Sequence, residues 1–214
     1  MPRAPRPNIA GGIFHVISRG VRRLPLFEDA IDYRRFLLLL RLVGKDHRWI
    51  SHVRCQMPNH FHLVLETPEP NLSAGMQRLN SRYAQWFNWR HGYVGHAVES
   101  RFFSGLIESN AHFLEVARYV LLNPVRAGLC LHPRDWPYSS YGEPLTARLA
   151  DQFGSDPEVA RARFERFVED GLRLGRVSGS DPGTRLDQPK PYVPANRFAS
   201  RRTSSAAGRP TTFR

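Results

Sequence analysis

Two groups of side chains in this sequence are of types, and at spacings, that could do chemistry. In Met57-Pro58-Asn59-His60-Phe61-His62-Leu63-Val64-Leu65-Glu66, a β-strand puts His60, His62, Val64 and Glu66 on one face and Phe61, Leu63 and Leu65 on the other, the core face. Two imidazoles one strand period apart can point side by side from the open face of a sheet and share one divalent cation. Such pairs also occur as ordinary surface residues, so the pair alone does not decide. The second group lies in Ala117-Arg118-Tyr119-Val120-Leu121-Leu122-Asn123-Pro124-Val125-Arg126-Ala127-Gly128-Leu129. On a helix, Tyr119 and Asn123 share a face and offer a phenol and a neutral amide oxygen to the same place. A tyrosine that attacks a phosphodiester conserves the bond energy as a phosphotyrosine ester, so rejoining needs no nucleotide cofactor. The competing reading is a half-buried helix tyrosine with no chemical role.

The elements that must position these residues follow from periodicity and turn chemistry. Ile13 to Ser18 reads as a first strand, and residues 29–43 as a helix. Trp49–Met57 and His60–Glu66 are β-prone runs joined by Pro58-Asn59, the pattern of a hairpin. A second helix starts near Asn71, with Leu72, Met76, Leu79, Tyr83 and Phe87 forming one apolar stripe, and the stretch 90–95 breaks it. Residues 102–108 suit a fourth strand. A third helix from Asn110 is expected to stop at Asn123, because Pro124 disfavours a helical residue before it. The order β-α-β-β-α-β-α predicts an α+β fold, a ferredoxin-like or RRM-like antiparallel sheet with helices on one face, followed by a C-terminal helix and a basic tail.

Charge narrows the partner. The 214 residues carry 31 Lys and Arg against 19 Asp and Glu, a formal net charge of +12, which favours a polyanion, with nucleic acid first. No run approaches the roughly 20 apolar residues needed to span a bilayer, and no secretory h-region follows the basic N-terminus, so a cytoplasmic, nucleoid-associated protein with no membrane partner is expected. Cys55 and Cys130 are far apart and read as buried thiols rather than a disulfide framework. Composition divides the chain into a catalytic domain at 1–148, a helical extension at 149–176 and a tail at 177–214. The tail holds seven Lys/Arg against two Asp, a net +5, and too few aliphatic residues to offset its ordering entropy, so disorder is expected there.

Beyond the single motifs, their combination resembles a known family. Phe14-His15-Val16 with Ser18-Arg19-Gly20, Met57-Pro58-Asn59-His60-Phe61-His62-Leu63, Asn80-Ser81-Arg82-Tyr83-Ala84-Gln85, Arg90-His91-Gly92, Gly95-His96, Arg118-Tyr119 with Asn123-Pro124-Val125-Arg126-Ala127-Gly128-Leu129, and Asp135-Trp136-Pro137-Tyr138-Ser139-Ser140-Tyr141 are together similar to REP-associated tyrosine transposases. These belong to the HUH (His, hydrophobe, His) class of single-strand endonucleases, and the resemblance spans about residues 10–142. It implies that His60 and His62 are metal ligands, Tyr119 the nucleophile and Asn123 the third ligand, where larger relatives often have Gln. Magnesium or manganese suits a site of two imidazoles and an amide with positions left for phosphate oxygens. The implied products are a 5′-phosphotyrosine on one strand end and a free 3′-OH on the other.

The expected partner is single-stranded or hairpin DNA, in particular repetitive extragenic palindromes, bound by a monomer or a homodimer. Arg19, Arg22 and Arg23 after the first strand, Arg82 on the second helix, and Arg101 are candidates to contact it; Arg78 and Arg90 lie on the same helix and share the charge argument. Trp86, Phe87 and Trp89 could stack on bases, but helical placement favours burial. His96 is a candidate to line the site, whereas His15, His47 and His52 read as structural or surface residues. Two other classes compete. A non-catalytic nucleic-acid binder on the same sheet would share the architecture but needs no histidine pair and tyrosine together. A plasmid relaxase or replication initiator fits less well with the short chain and with the histidine pair preceding the tyrosine.

Overall fold

Four strands build one antiparallel sheet: β1 (Gly12–Arg19), β2 (Ile50–Met57), β3 (His60–Thr67) and β4 (Phe103–Leu106), in the spatial order β2-β3-β1-β4. The computed structural model describes residues 9–99 and 101–174; the tail expected at 177–214 lies outside them. Strands β2 and β3 form the expected hairpin around Pro58-Asn59, with Cys55 opposite His62 and Met57 opposite His60. On its other side, β3 pairs with β1, which sets Ile17 against His62 and Arg19 against His60.

Helices α1 (Ala30–Asp46) and α2 (Leu72–His91) pack on one face of the sheet. Asp29 starts α1 with a capping box, accepting from the backbone of Ile31 and Asp32 while Asp32 reciprocates, which satisfies donors that a helix N-terminus leaves open. The apolar stripe of α2, Leu72, Met76, Leu79, Tyr83 and Phe87, is buried against Phe14, Val16, Phe61, Leu63 and Leu65 of the sheet. Each such side chain contributes roughly 1.5–3 kcal/mol by leaving water. The Arg90-His91 pair has a structural use. Arg90 donates to Asp29 and to the fully buried Asp32 at 2.6 Å each, and His91 lies 3.2 Å from Asp32. The clamp ties the end of α2 to the start of α1, so Arg90 is committed to these carboxylates; Arg78 likewise pairs with Asp46 at 3.0 Å.

The second sheet face, expected to be open, is covered. Helix α3 (Asn110–Arg126) crosses β2 and β3, and α5 (Pro157–Leu174) packs against α3, with the one-turn helix α4 (Ala147–Ala150) between them in sequence. Phe113, Ala117, Val120 and Leu121 from α3 and Phe164 and Val168 from α5 share a core with Ile13, Val53, Cys55, Met57 and Val64. The reason is written into β1 and β2, whose second face is also apolar and would be costly to leave in water. Alternation along β3 alone, where that face carries two histidines, did not show it.

Helix α3 also runs past its expected end. It continues through Pro124 to Arg126; the proline forgoes one backbone hydrogen bond, to Val120 O, and the turn beyond it is held by its own closing bonds. The Asn123 amide donates to the Tyr119 carbonyl at 2.9 Å, and Gly128, at φ +69°, closes the helix with bonds from Leu129 N–H to Pro124 O and from Gly128 N–H to Val125 O. That is a Schellman ending, which satisfies carbonyls the helix would otherwise leave bare. The Trp136–Tyr141 segment then runs along β2: Gln56 N–H donates to Tyr138 O at 2.9 Å, Ser140 N–H to Arg54 O at 3.0 Å, and the Trp136 indole to Gln56 O at 2.9 Å. An open sheet edge is thereby capped. Among the described residues, no helix is long and apolar enough to cross a membrane.

Candidate active site

The histidine pair stands where β3 passes beneath α3. His60 and His62 are both buried, at 7% and 2% exposure, with ring centroids 4.9 Å apart. Two imidazoles holding one first-row ion through nitrogens at about 2.1 Å place their centroids about 5 Å apart, so the spacing fits a shared cation. The tautomers suit it as well. His60 Nδ1 lies 2.7 Å from Asn59 Oδ1 and must donate to it, leaving Nε2 as the bare nitrogen.

His62 is held by a residue that sequence reasoning set aside. His15, on β1, stacks on it with centroids 5.3 Å apart and planes 17° apart, its Nε2 lying 3.0 Å from His62 Nδ1. The opposite nitrogen, His62 Nε2, is buried with no hydrogen-bond partner among the described residues. Were His62 protonated there, a buried N–H would go unsatisfied, a cost of about 1–3 kcal/mol. We therefore assign His62 Nδ1–H as donor to His15 Nε2, which leaves Nε2 as a lone pair with no hydrogen-bond partner among the described residues. Burial holds His15 and His60 down to about 4, helped by the nearby charges of His112 and Arg19 respectively. His62 is also pushed well below its ordinary value, first by burial and then by His60, His15 and Arg19. All three imidazoles are thus neutral at pH 7, the form in which a histidine can ligate a metal or accept a hydrogen bond. The signal for His15 was present in the register, since it sits diagonally across from His62, within reach of a ring on the same face.

Tyr119 completes the cluster from above. Its half-buried ring meets His62 edge-on at 5.7 Å and His15 at 6.0 Å, and the exposed Arg126 places its guanidinium 5.5 Å over the same ring. Asn123 is half-buried one turn further along, and because its amide nitrogen is committed to the Tyr119 carbonyl, Oδ1 is the atom it can offer a ligand. Among the described residues, no group of three or more His, Cys, Asp or Glu is placed to hold a metal.

The arginine candidates divide by position. Arg19 lies opposite His60. Beyond it the chain turns tightly at Gly20, whose N–H donates to Asn59 O at 2.8 Å and where a Cβ would stand 2.1 Å from the Leu24 carbonyl oxygen. That turn exposes Arg22 and Arg23 at φ +54° and +62° on the same end of the sheet. Residues 97–99 bond back to this turn, through Val21 N–H to Ala97 O and Glu99 N–H to Arg19 O, and lead to the exposed Arg101. Arg82 is not brought to this site, because α2 lies on the opposite sheet face and Arg82 is on its outer surface. Trp89 also differs from expectation, being 79% exposed. His52 is buried and structural, as expected, bonded to Glu66 at 3.0 Å and Thr146 at 2.7 Å.

Comparison with known proteins indicates the class of this chain, the transposases, which process DNA. The family described as "Transposase IS200 like" matches residues 9–121, and the chain belongs to that family. A Haemophilus influenzae protein assigned as a REP-associated tyrosine transposase is 26% identical over 117 residues, covering 49% of this chain and 66% of the relative's length. A solved structure described as a REP-associated tyrosine transposase bound to a REP hairpin superposes with a TM-score of 0.59 at 21% identity, covering 67% of this chain and 85% of that one. The motif resemblance is thus borne out, and the α+β fold with it.

Proposed function

We propose that this transposase is a metal-dependent single-strand DNA endonuclease and strand transferase that acts on repeat or hairpin DNA through a 5′-phosphotyrosine at Tyr119. The observation that carries the reading is the buried, partnerless Nε2 of His62, within a cluster that also holds His60 and the Tyr119 ring. His60 and His62 would hold a Mg²⁺ or Mn²⁺ ion, with Asn123 Oδ1 as third protein ligand. When bound, that ion supplies charge stabilisation for the phosphate oxygens of the scissile group.

The chain's own residues do the rest. Tyr119 Oη attacks the scissile phosphorus, the bond to the 3′ oxygen breaks, and the phenolic proton passes by way of solvent to that leaving oxygen, giving a 5′-phosphotyrosine and a free 3′-OH. Attack by a different 3′-OH reverses the step and joins strands with no energy input. Arg126, above the phenol, is placed to contact the anionic phosphate as it arrives. Arg19, Arg22, Arg23 and Arg101 at the same end of the sheet would bind the flanking backbone. The relative whose structure holds a REP hairpin supports hairpin DNA as the substrate.

The test is incubation with Mn²⁺ and labelled single-stranded oligonucleotides from DNA flanking the gene, resolved on a denaturing gel beside Tyr119→Phe. A slow-migrating covalent adduct in the parent and none in Tyr119→Phe, which still binds DNA, is the expected result. Binding without adduct across the flanking repeats would favour the non-catalytic nucleic-acid binder.

A further inference from the structure

On the far side of the molecule from Tyr119, the outer surfaces of α1 and α2 meet in a groove lined chiefly by Arg35, Leu42, Arg82, Gln85, Trp86 and Trp89. Its chemistry is one-sided. Among the described residues no carboxylate lines it, and the twenty residues of α2 contain neither Asp nor Glu. The two acids of α1 are engaged elsewhere, Asp32 by Arg90 and Asp46 by Arg78. The Trp86 ring is flanked by the guanidiniums of Arg35 at 5.6 Å and Arg90 at 5.7 Å. Arg35 Nε is buried with no hydrogen-bond partner among the described residues. Beside these, Trp89 presents its indole to water at 79% exposure and Leu42 its side chain at 45%.

Trp89, Trp86 and Leu42 together give this basic groove an apolar patch of the kind that marks an interaction site. A second copy of the chain does not fit, since pairing like grooves would oppose arginines with no acid between them. An unpaired base matches, because every base has a face to stack on an indole and brings a phosphate for a guanidinium. We propose that this groove is a second, non-catalytic site for single-stranded DNA, in which a base stacks on Trp89, neighbouring phosphates engage Arg82 and Arg35, and Gln85 meets a base edge. The identity of the polyanion as DNA rests on the function proposed above. The sheet and a helical layer separate the groove from Tyr119, so the two sites can fail independently.

Full-length parent, Trp89→Ala, Trp89→Phe and Arg82→Glu proteins would be titrated with fluorescein-labelled dT30 by anisotropy, and each assayed for covalent adduct on saturating cleavable oligonucleotide. Loss of one stacked base predicts that Trp89→Ala binds dT30 about tenfold more weakly, with Trp89→Phe restoring most of the affinity. Arg82→Glu should weaken binding and flatten its salt dependence. Adduct yield at saturation should not change in any of them. Parent affinity in folded Trp89→Ala and Arg82→Glu would overturn the second site, whatever the adduct assay gives. A shift of Arg82→Glu in oligomeric state on gel filtration, with dT30 affinity unchanged, would overturn it in favour of self-association. A Trp89-dependent affinity in a parent that forms no adduct would support the groove while refuting the tyrosine chemistry.

Discussion

Replacing His15 isolates the contact that orients His62. In His15→Leu the side chain keeps its bulk against Phe103 and Tyr119, whose rings lie 6.4 and 6.0 Å away, but His62 Nδ1–H loses its acceptor at 3.0 Å. A buried donor left unsatisfied costs about 1–3 kcal/mol. The ring can escape that penalty by shifting its proton to Nε2 or by turning, and either withdraws the lone pair that a cation needs. Loss of a partner that orients a ligating histidine weakens metal affinity by roughly 10–100-fold, or about 1.4–2.7 kcal/mol, which matches that penalty. Mn²⁺ affinity measured by titration calorimetry should therefore fall by about tenfold or more in His15→Leu. His15→Gln, whose amide oxygen can accept the same proton, should recover most of the loss. Thermal midpoints taken alongside separate this effect from unfolding. Parent-like Mn²⁺ affinity in a folded His15→Leu protein would refute the role assigned to His15.

Three further outcomes follow. Arg126→Ala should lower the rate of adduct formation on the order of 10- to 100-fold, the size of a hydrogen bond to a charged group, with Mn²⁺ affinity unchanged; an unchanged single-turnover rate would remove Arg126 from the site. Gly171→Ala should destabilise the protein by about 1–2 kcal/mol in urea titration although alanine favours a helix, because the new Cβ would stand 2.6 Å from Arg118 Cδ and 2.8 Å from Leu122 Cδ1 on α3. His52 is held below its ordinary value of 6.5 mainly by burial, against an opposing pull from Glu66. Its folded pKa thus lies below the unfolded one, so its contribution is complete above pH 6.5 and is lost as pH falls toward the depressed value. His52→Gln should therefore flatten the decline in stability between pH 7 and pH 5 by up to about 1.4 kcal/mol per unit.

What the sequence revealed and what it concealed divide along physical lines. Period-two alternation placed Phe61, Leu63 and Leu65 in the core and the two histidines on the other face, and helical periodicity found the buried stripe of α2; both signals are local. The covering of the histidine face is not. It depends on apolar residues of β1 and β2 that gain meaning only once the strands are paired. The His15–His62 contact needs the same pairing, because residues 47 apart become neighbours through register alone. Pro124 misled for a different reason. The rule that proline ends a helix concerns the backbone hydrogen bond it removes, here the one to Val120 O, and the bonds that close the helix at Gly128 hold the turn beyond it regardless.

The covered face bears on chemistry as well as stability. Had the histidines stood on an open sheet, water would have kept their pKa values near 6.5 and filled the space beside His62. Under α3 they are desolvated, which favours the neutral form and lets any charge drawn into the cluster interact in a low dielectric. Helix α5 contributes to this indirectly, because its Phe164 and Val168 complete the core on which α3 rests, and Arg118, the neighbour of Tyr119, lies 4.6 Å over the Phe167 ring. The C-terminal extension thus helps fix the helix that carries the phenol over the imidazoles. Loosening it through Gly171→Ala should reduce adduct formation by Tyr119 more than binding of DNA, since phosphate contacts tolerate a shift that in-line attack does not.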